Sequence, residues 1–159
     1  MLADGTTVHV RGIRPQDEDR LVAFHSRLSE RSAYLRFFSA MPRLSPALAR
    51  RFTNVDFADR VAFVAERAGD IIAVGRYDRA PGTDEAEVAF TVEDRHQGQG
   101  LATLLLQYLT AAAREHQIQR FVADVLSGNV PMLRVFREAG FAEQVALDDG
   151  VVRLALSLA

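Results

Sequence analysis

The chain has 159 residues, 25% charged and 48% hydrophobic, with 19 Lys and Arg against 21 Asp and Glu for a net charge of −2. That length supports a core without metal or disulfide. The near-neutral balance offers no broad basic surface to nucleic acid or an anionic membrane. Cysteine is absent, which excludes a disulfide framework, thiolate zinc ligands and a cysteine nucleophile. His9, His25, His96 and His116 show no short ligand spacing, so no metal is expected. The opening MLADGTTVHV lacks the apolar core of a signal peptide, and no apolar run reaches transmembrane length. The expectation is a cytoplasmic protein with neither a nucleic-acid nor a membrane partner. With no linker or internal repeat, residues 1–159 read as a single domain, and the end directly after an apolar strand also fits a domain excised from a larger protein.

In chain order, Thr7–Ile13 alternates apolar and polar residues as a half-buried strand does. Pro15 opens a helical stretch with Leu21, Val22, Phe24 and Leu28 as its apolar positions, and SERSAYLRFFSAMPRL reads as a second helix and a loop. Ser45-Pro46 is a cap with proline at the first helical position, starting a third helix to about Phe52. RVAFVAER and DIIAVGRYDRA flank Ala68-Gly69 as a hairpin, and PGTD turns the chain into EAEVAFTV. A helix over Gly100–His116 follows, with Leu101, Leu104, Leu105, Tyr108, Leu109 and Ala112 at core-facing spacing. RFVADVL is a strand, Val130–Ala139 a helix bounded by Asn129 and Gly140, and FAEQVAL and VVRLALSL form a closing hairpin around DDG. This order describes a mixed α/β protein built on one sheet.

Arg95–Leu109, RHQGQGLATLLLQYL, sets Gly98 and Gly100 between a charged turn and a leucine-rich helix. Helix-start amides in that setting bind anionic phosphates. The fragment is not a dinucleotide fingerprint, because the third glycine position is Thr103, and it is not a P-loop, because no Gly-Lys-Ser/Thr follows. On spacing alone, a tight strand-to-helix turn and a backbone ligand site remain equal readings. QGQGLA (Gln97–Ala102) resembles the Gln/Arg-x-x-Gly-x-Gly/Ala signature of the GNAT superfamily of acyl-CoA-dependent N-acyltransferases. Asn129–Phe141, NVPMLRVFREAGF, resembles that family's second cofactor motif with its closing Gly-Phe. The element order is similar over essentially the whole chain, which implies the GNAT fold: a central, mostly antiparallel mixed sheet flanked by helices. LADGTTVHVRGIRPQDEDRL and LSERSAYLRFF look most like GNAT domains of bacterial protein lysine acetyltransferases that modify acyl-CoA synthetases.

The resemblance implies acetyl-CoA as cosubstrate. Backbone amides from Gly98 through Thr103, with Gln97, Gln99, Leu101 and Ala102 in the same signature, are the expected pyrophosphate cradle. Glycine lets the phosphate approach the main chain, and the helix dipole favours its charge. Phe90, Thr91 and Val92 are the expected backbone partners of the pantetheine arm, at a point where the family's strand splays from RFVADVL. Asn129 reads either as a helix cap alone or as a cap that also meets the pantetheine. Phe136 stands where many members carry a tyrosine acid; the resemblance implies that it packs against the CoA, and a general acid is left unassigned. Arg134 reads as a solvated surface residue.

A lysine amine, with a reference pKa of about 10.4, needs a base to free it. Alternation in EAEVAFTV puts Ala86, Val88, Phe90 and Val92 on an apolar face and Glu85, Glu87, Ala89 and Thr91 on the other. Glu87, among small residues, matches the family's recurring glutamate and is the expected base or water relay; its alternative is a solvated glutamate. Glu93 is the rival, and Glu85 and Asp84 are expected to be more exposed. The expected reaction is direct transfer of acetyl to a protein lysine, with an acyl-CoA synthetase as the protein partner. RSAYLRFFSAMPRL, with Tyr34, Arg36, Phe37 and Phe38, suggests a wall for docking that protein. The alternatives are a small-molecule amine acetyltransferase and a CoA-binding sensor without turnover.

Overall fold

The structure is a computed structural model that describes residues 7–37, 43–147 and 150–158. Strands β1 (His9–Gly12), β2 (Arg60–Arg67), β3 (Asp70–Arg79), β4 (Glu85–Val92), β5 (Arg120–Leu126), β6 (Ala142–Leu147) and β7 (Val151–Ser157) form one sheet in the order β1-β2-β3-β4-β5-β7-β6. Only β4 and β5 run parallel among the neighbouring pairs; the rest are antiparallel. The mixed, mostly antiparallel sheet expected from the element order is therefore present.

The helices are α1 (Glu18–Ser26), preceded by a 3-10 turn at Pro15–Asp17, α2 (Glu30–Phe37), α3 (Pro46–Thr53), α4 (Leu101–Glu115) and α5 (Val130–Glu138). α3 starts as its sequence dictates: Ser45 Oγ accepts the Leu48 amide at 3.2 Å, with Pro46 in the first turn. Two cores result, one on each side of the sheet. Leu101, Leu105, Leu106 and Leu109 of α4 and Leu133 and Phe136 of α5 join Val88 and Phe90 in the larger. Leu21 and Phe24 of α1 and Ala49 of α3 cover Ile71 and Val74 in the other. The face expected for α4 needs correction. Tyr108 is 42% exposed, its ring lying 5.5 Å from that of Phe63, while Leu106 and Ala113 are buried in its place. The stripe is rotated from the one expected because α4 packs on β2 and β3 as well as β4.

One ion cluster ties the first strand to the first helix. Arg11 holds Asp17 through two bonds of 2.7 Å, the Arg14 amide donates to Asp17 at 2.8 Å, and Arg20 reaches it at 3.3 Å. Asp17 is fully buried. Burial alone would raise its pKa, but Arg11 and the Arg14 amide outweigh this and hold it below the usual carboxylate range. A depressed folded pKa contributes stability above the unfolded value of about 3.9, lost as pH falls through the folded one. Asp17→Asn should therefore cost about 3 kcal/mol at neutral pH. Its melting temperature should converge on that of the parent as the pH drops below about 4; a gap that stays constant with pH would contradict this role.

Candidate active site

The parallel pairing of β4 with β5 is short: Glu85, Ala86 and Glu87 face Arg120, Phe121 and Val122, and there it ends. Beyond it, β4 continues to Val92 on its β3 side only, and β5 continues to Leu126 on its β7 side only. Val88–Val92 thus border an open wedge. Phe136, 1% exposed, packs 5.7 Å from the Phe90 ring and 4.8 Å from Phe141. It braces β4 where the strand has left its neighbour.

The chain leaves β4 through a 3-10 turn, Asp94–His96, and reaches α4 across Gly98 and Gly100. Both glycines are left-handed, at φ +80° and +86°, and a Cβ placed on either meets nothing within 4 Å. The turn alone therefore explains the residue type, and the space before it is open as well. At the start of α4, the amides of Leu101, Ala102 and Thr103 have no carbonyl one turn earlier to accept them. The side chains of Leu101 and Ala102 are buried, so these two residues present backbone only. Gln97 Nε2 donates to the Val92 carbonyl at 3.2 Å, and so ties the loop to the strand end. Asn129 sits at the start of α5 but makes no side-chain cap. The reading of Asn129 as a cap alone fails: its backbone N–H donates to the Leu126 carbonyl at 2.9 Å, and among the described residues its side-chain carboxamide has no hydrogen-bond partner. Arg134 is exposed, as expected.

Sequence reasoning missed what holds the glycine loop. Glu93 is buried and accepts Arg27 Nε at 3.0 Å, with Arg95 Nε at 3.4 Å, while Arg27 Nη2 reaches the Ile71 carbonyl at 2.6 Å. Asp94 accepts the Ser29 amide at 3.1 Å and Ser32 Oγ at 3.0 Å. The α1–α2 junction thereby anchors the turn that feeds the loop. Glu93, the rival base, is instead a buried structural anion. The contacts of Arg27 with Glu93 and of Ser29 and Ser32 with Asp94 join residues more than sixty positions apart, and no local pattern announces them.

Glu87 lies just before the split, opposite Asp78 on β3 and Val122 on β5. Its side of the strand is the open one: Ala86, Val88 and Phe90 are buried, while Glu87 is exposed. Glu85 is the less exposed of the two, because Glu85 and not Glu87 is half-buried; Asp84 is exposed as expected. Partial enclosure raises the Glu87 pKa, Asp124 raises it further, and Arg153 and Arg36 pull it down. Asp124 and Arg153 form a two-pronged pair at 2.8 and 2.9 Å across β5 and β7. No tyrosine of this chain is placed as an acid. Tyr77 is buried, donates to the Ala58 carbonyl at 3.3 Å and has its pKa raised to about 12 by burial, and Tyr34 and Tyr108 are exposed. Of the expected docking wall, Tyr34 is exposed and Arg36 and Phe37 are half-buried on α2, whereas Phe38 lies outside the described residues. Among the described residues no group of three His, Cys, Asp or Glu is placed to hold a metal, and no helix is long and apolar enough to cross a membrane.

The chain has a split parallel pair with a glycine turn and a helix start at its mouth, and it belongs to the acetyltransferase (GNAT) family, whose sequence model matches residues 27–141. Members of this family use acetyl-CoA. The chain is similar to the GNAT domain of S. lividans PAT, at 46% identity and TM-score 0.93, over 98% of this chain and 93% of that one. It is 32% identical to an acetyltransferase of Pseudomonas aeruginosa over 98% of this chain and 87% of the relative. It is 34% identical to acetyltransferase Pat of Mycolicibacterium smegmatis over 93% of this chain, which is 45% of that longer protein.

The arrangement around Glu87 has a measurable electrostatic consequence. Arg153→Met removes a cation that lowers the Glu87 pKa and leaves Asp124, which raises it, without its partner. The Glu87 carboxyl should then titrate at higher pH than in the parent, as followed by carbon-detected NMR. An unchanged or lower value would show that the pair does not act on Glu87.

Proposed function

We propose that this chain transfers acetyl from acetyl-CoA to the side-chain amine of a protein lysine, with Glu87 as base or as holder of the relaying water. The observation that carries the reading is the wedge opened beyond Glu87, with the Gly98–Thr103 amides at its mouth. Residues 1–159 form one transferase domain in this reading. The amides of Gly98 through Thr103 hold the pyrophosphate of the cosubstrate, in the field of the α4 dipole. The backbone of Phe90, Thr91 and Val92 pairs with the pantetheine amides, and the free side chain of Asn129 adds a contact.

Glu87 takes a proton from the lysine ammonium, directly or through one water. The amine nitrogen then bonds to the thioester carbon, the C–S bond breaks and CoA leaves as its thiolate, which takes the second proton of the nitrogen, directly or through water, so that a neutral amide and the free thiol result. A main-chain amide near Val92 polarises the carbonyl oxygen, fixed in place before reaction. A protein acceptor is favoured by the similarity to the S. lividans PAT domain and to M. smegmatis Pat. The exposed edge of α2 at Tyr34 would receive it. An acyl-CoA synthetase is the proposed substrate, and CoA release from acetyl-CoA in the presence of such a purified synthetase tests it directly.

Gly100→Val should remove the cradle but also brings left-handed backbone strain of order 1–3 kcal/mol. Gly82→Val is the matched control. Gly82 has φ +73° and open space around it, and lies in the β3–β4 turn at the far end of β4 from the loop. Both variants should lose similar thermal stability, but only Gly100→Val should lose acetyl-CoA affinity, by roughly 100-fold or more in calorimetry. Equal affinities in the two variants would end the cradle reading.

Glu87→Gln should keep acetyl-CoA affinity within a few-fold, because the side chain lies away from the phosphate loop. Turnover should fall by roughly 10² to 10⁴. In the parent the raised pKa of Glu87 sets an acidic limb that climbs as the carboxylate forms. The variant should lose that limb, and its deficit should shrink at high pH, where more lysine is already neutral. Full activity in Glu87→Gln at neutral pH, or a melting-temperature loss with normal turnover per folded molecule, would take the base role from Glu87.

A further inference from the structure

Between α1, α2, α3 and the Glu87 face of β3 and β4 lies a small cavity of about 30 Å³, lined by Ala89 and Thr91 of β4 and by Arg36, Arg76, Phe37 and Phe52 among others. The Arg76 guanidinium lies 4.2 Å over the Phe52 ring, and that of Arg36 lies 4.7 Å over Phe37. The two rings stack at 6.2 Å, 20° from parallel. Two cations thus bracket a pair of phenyl rings beside the strand that carries the base. Arg76 is 5% exposed, and one hydrogen bond is evident for it, from Nη2 to the Phe52 carbonyl at 3.4 Å.

Other enclosed arginines of this chain are paired: Arg11 with Asp17 at 2.7 Å, Arg27 with Glu93 at 3.0 Å, Arg79 with Asp59 at 2.8 Å and Arg153 with Asp124 at 2.8 Å. Arg36 and Arg76 differ: among the described residues, neither has a carboxylate within salt-bridge distance. Asp78, whose field reaches both, is itself bonded to Arg60 at 3.2 Å. Burial and the neighbouring Arg36 pull Arg76 down to about 9. Cation–π contact replaces part of the lost hydration, but a guanidinium carries five donors, and the carboxylates whose fields reach this pair, Glu87 at Arg36 and Asp78 at both, form no ion pair with either among the described residues.

We propose that Arg36 and Arg76 form a recognition site for a carboxylate on one of the two reacting partners, in the cleft beside Glu87. The inference rests on the transferase reading for its meaning, but carboxylate binding can be measured without turnover. The cavity of about 30 Å³ has room for a small polar group such as a carboxyl. The planar forks of arginine match a carboxylate with two parallel bonds. The carboxylate belongs either to an acidic side chain beside the acceptor lysine or to the far end of a dicarboxylic acyl thioester such as succinyl-CoA.

Glutarate is the probe, with glutaramide as its neutral counterpart, each titrated into the full chain at constant ionic strength while the melting temperature is followed. Glutarate should raise it saturably and glutaramide should not. Arg76→Lys, which keeps the charge and loses the fork, should weaken the apparent affinity by roughly tenfold or more, and the Arg36→Met/Arg76→Met double variant should abolish the effect. Acetyl-CoA binding by each variant checks that it is folded. Turnover then separates the sources. The preference for succinyl-CoA over acetyl-CoA, or for a lysine peptide flanked by Glu over one flanked by Gln, should collapse about tenfold in Arg76→Lys. The preference that collapses identifies the partner. No saturable glutarate effect in the parent, an undiminished effect in the double variant, or no change in either preference would overturn the proposal. Failure of the parent to bind acetyl-CoA would instead count against the transferase reading, whatever glutarate does.

Discussion

A parallel strand pair that stops after three residues leaves a row of main-chain donors and acceptors facing a gap, and nothing else in the chain has more consequence. Unpaired backbone groups are tolerated only where water or a ligand meets them. The gap persists because neither strand needs the other beyond Glu87 and Val122. β4 is paired with β3 as far as Val92, and β5 with β7 as far as Leu126. The aromatic contact of Phe136 with Phe90 then fills the space beneath. The wedge is therefore built by satisfied neighbours on the outer sides, and a ligand that supplies amides completes a ladder the sheet itself leaves unfinished.

The carboxylates around this wedge divide into two kinds. Glu93 and Asp17 are enclosed and gripped by Arg27 and Arg11, and both organise loops. Arg11 and the Arg14 amide hold the Asp17 pKa below the usual carboxylate range, which makes Asp17 a poor base. Glu87 lacks a direct ion pair in the described structure and sits in an environment that raises its pKa. A carboxylate that is not gripped can accept and release a proton at small cost. The same distinction separates the carboxylates near the loop: Asp94 and Glu93 hold it in place, and Glu87, six residues before Glu93, has no ion pair among the described residues.

The element order and the strand faces were legible in the sequence because periodicity reports burial directly: Ala86, Val88 and Phe90 are buried as their alternation requires. Gly98 and Gly100 were legible as special positions, and their left-handed backbone bears this out. The reading of Asn129 as a cap alone was not, since capping depends on a local geometry that Asn129, at φ −87° and ψ 68°, does not adopt. Tyr108 was misplaced because the helix face is set by which strands lie beneath it. The pairs Arg27–Glu93 and Asp124–Arg153 depend on register and on packing between remote segments. Composition and spacing carry no trace of either.

The absence of a tyrosine acid follows the same physical logic. Phe136 occupies the core at 1% exposure, where a phenol would need a buried hydrogen-bond partner to offset its desolvation. Tyr77 already has one in the Ala58 carbonyl and is held to a pKa of about 12, far from any useful donor range at neutral pH. The two ends of the reaction are unequal in their needs. The attacking amine must lose a proton bound with a pKa of about 10.4, whereas a departing simple thiolate, with a conjugate acid near about 8.5, can leave unprotonated and collect its proton from water. In the proposed reading, one ungripped carboxylate at Glu87 therefore meets the larger of these two needs, and the smaller one is left to water.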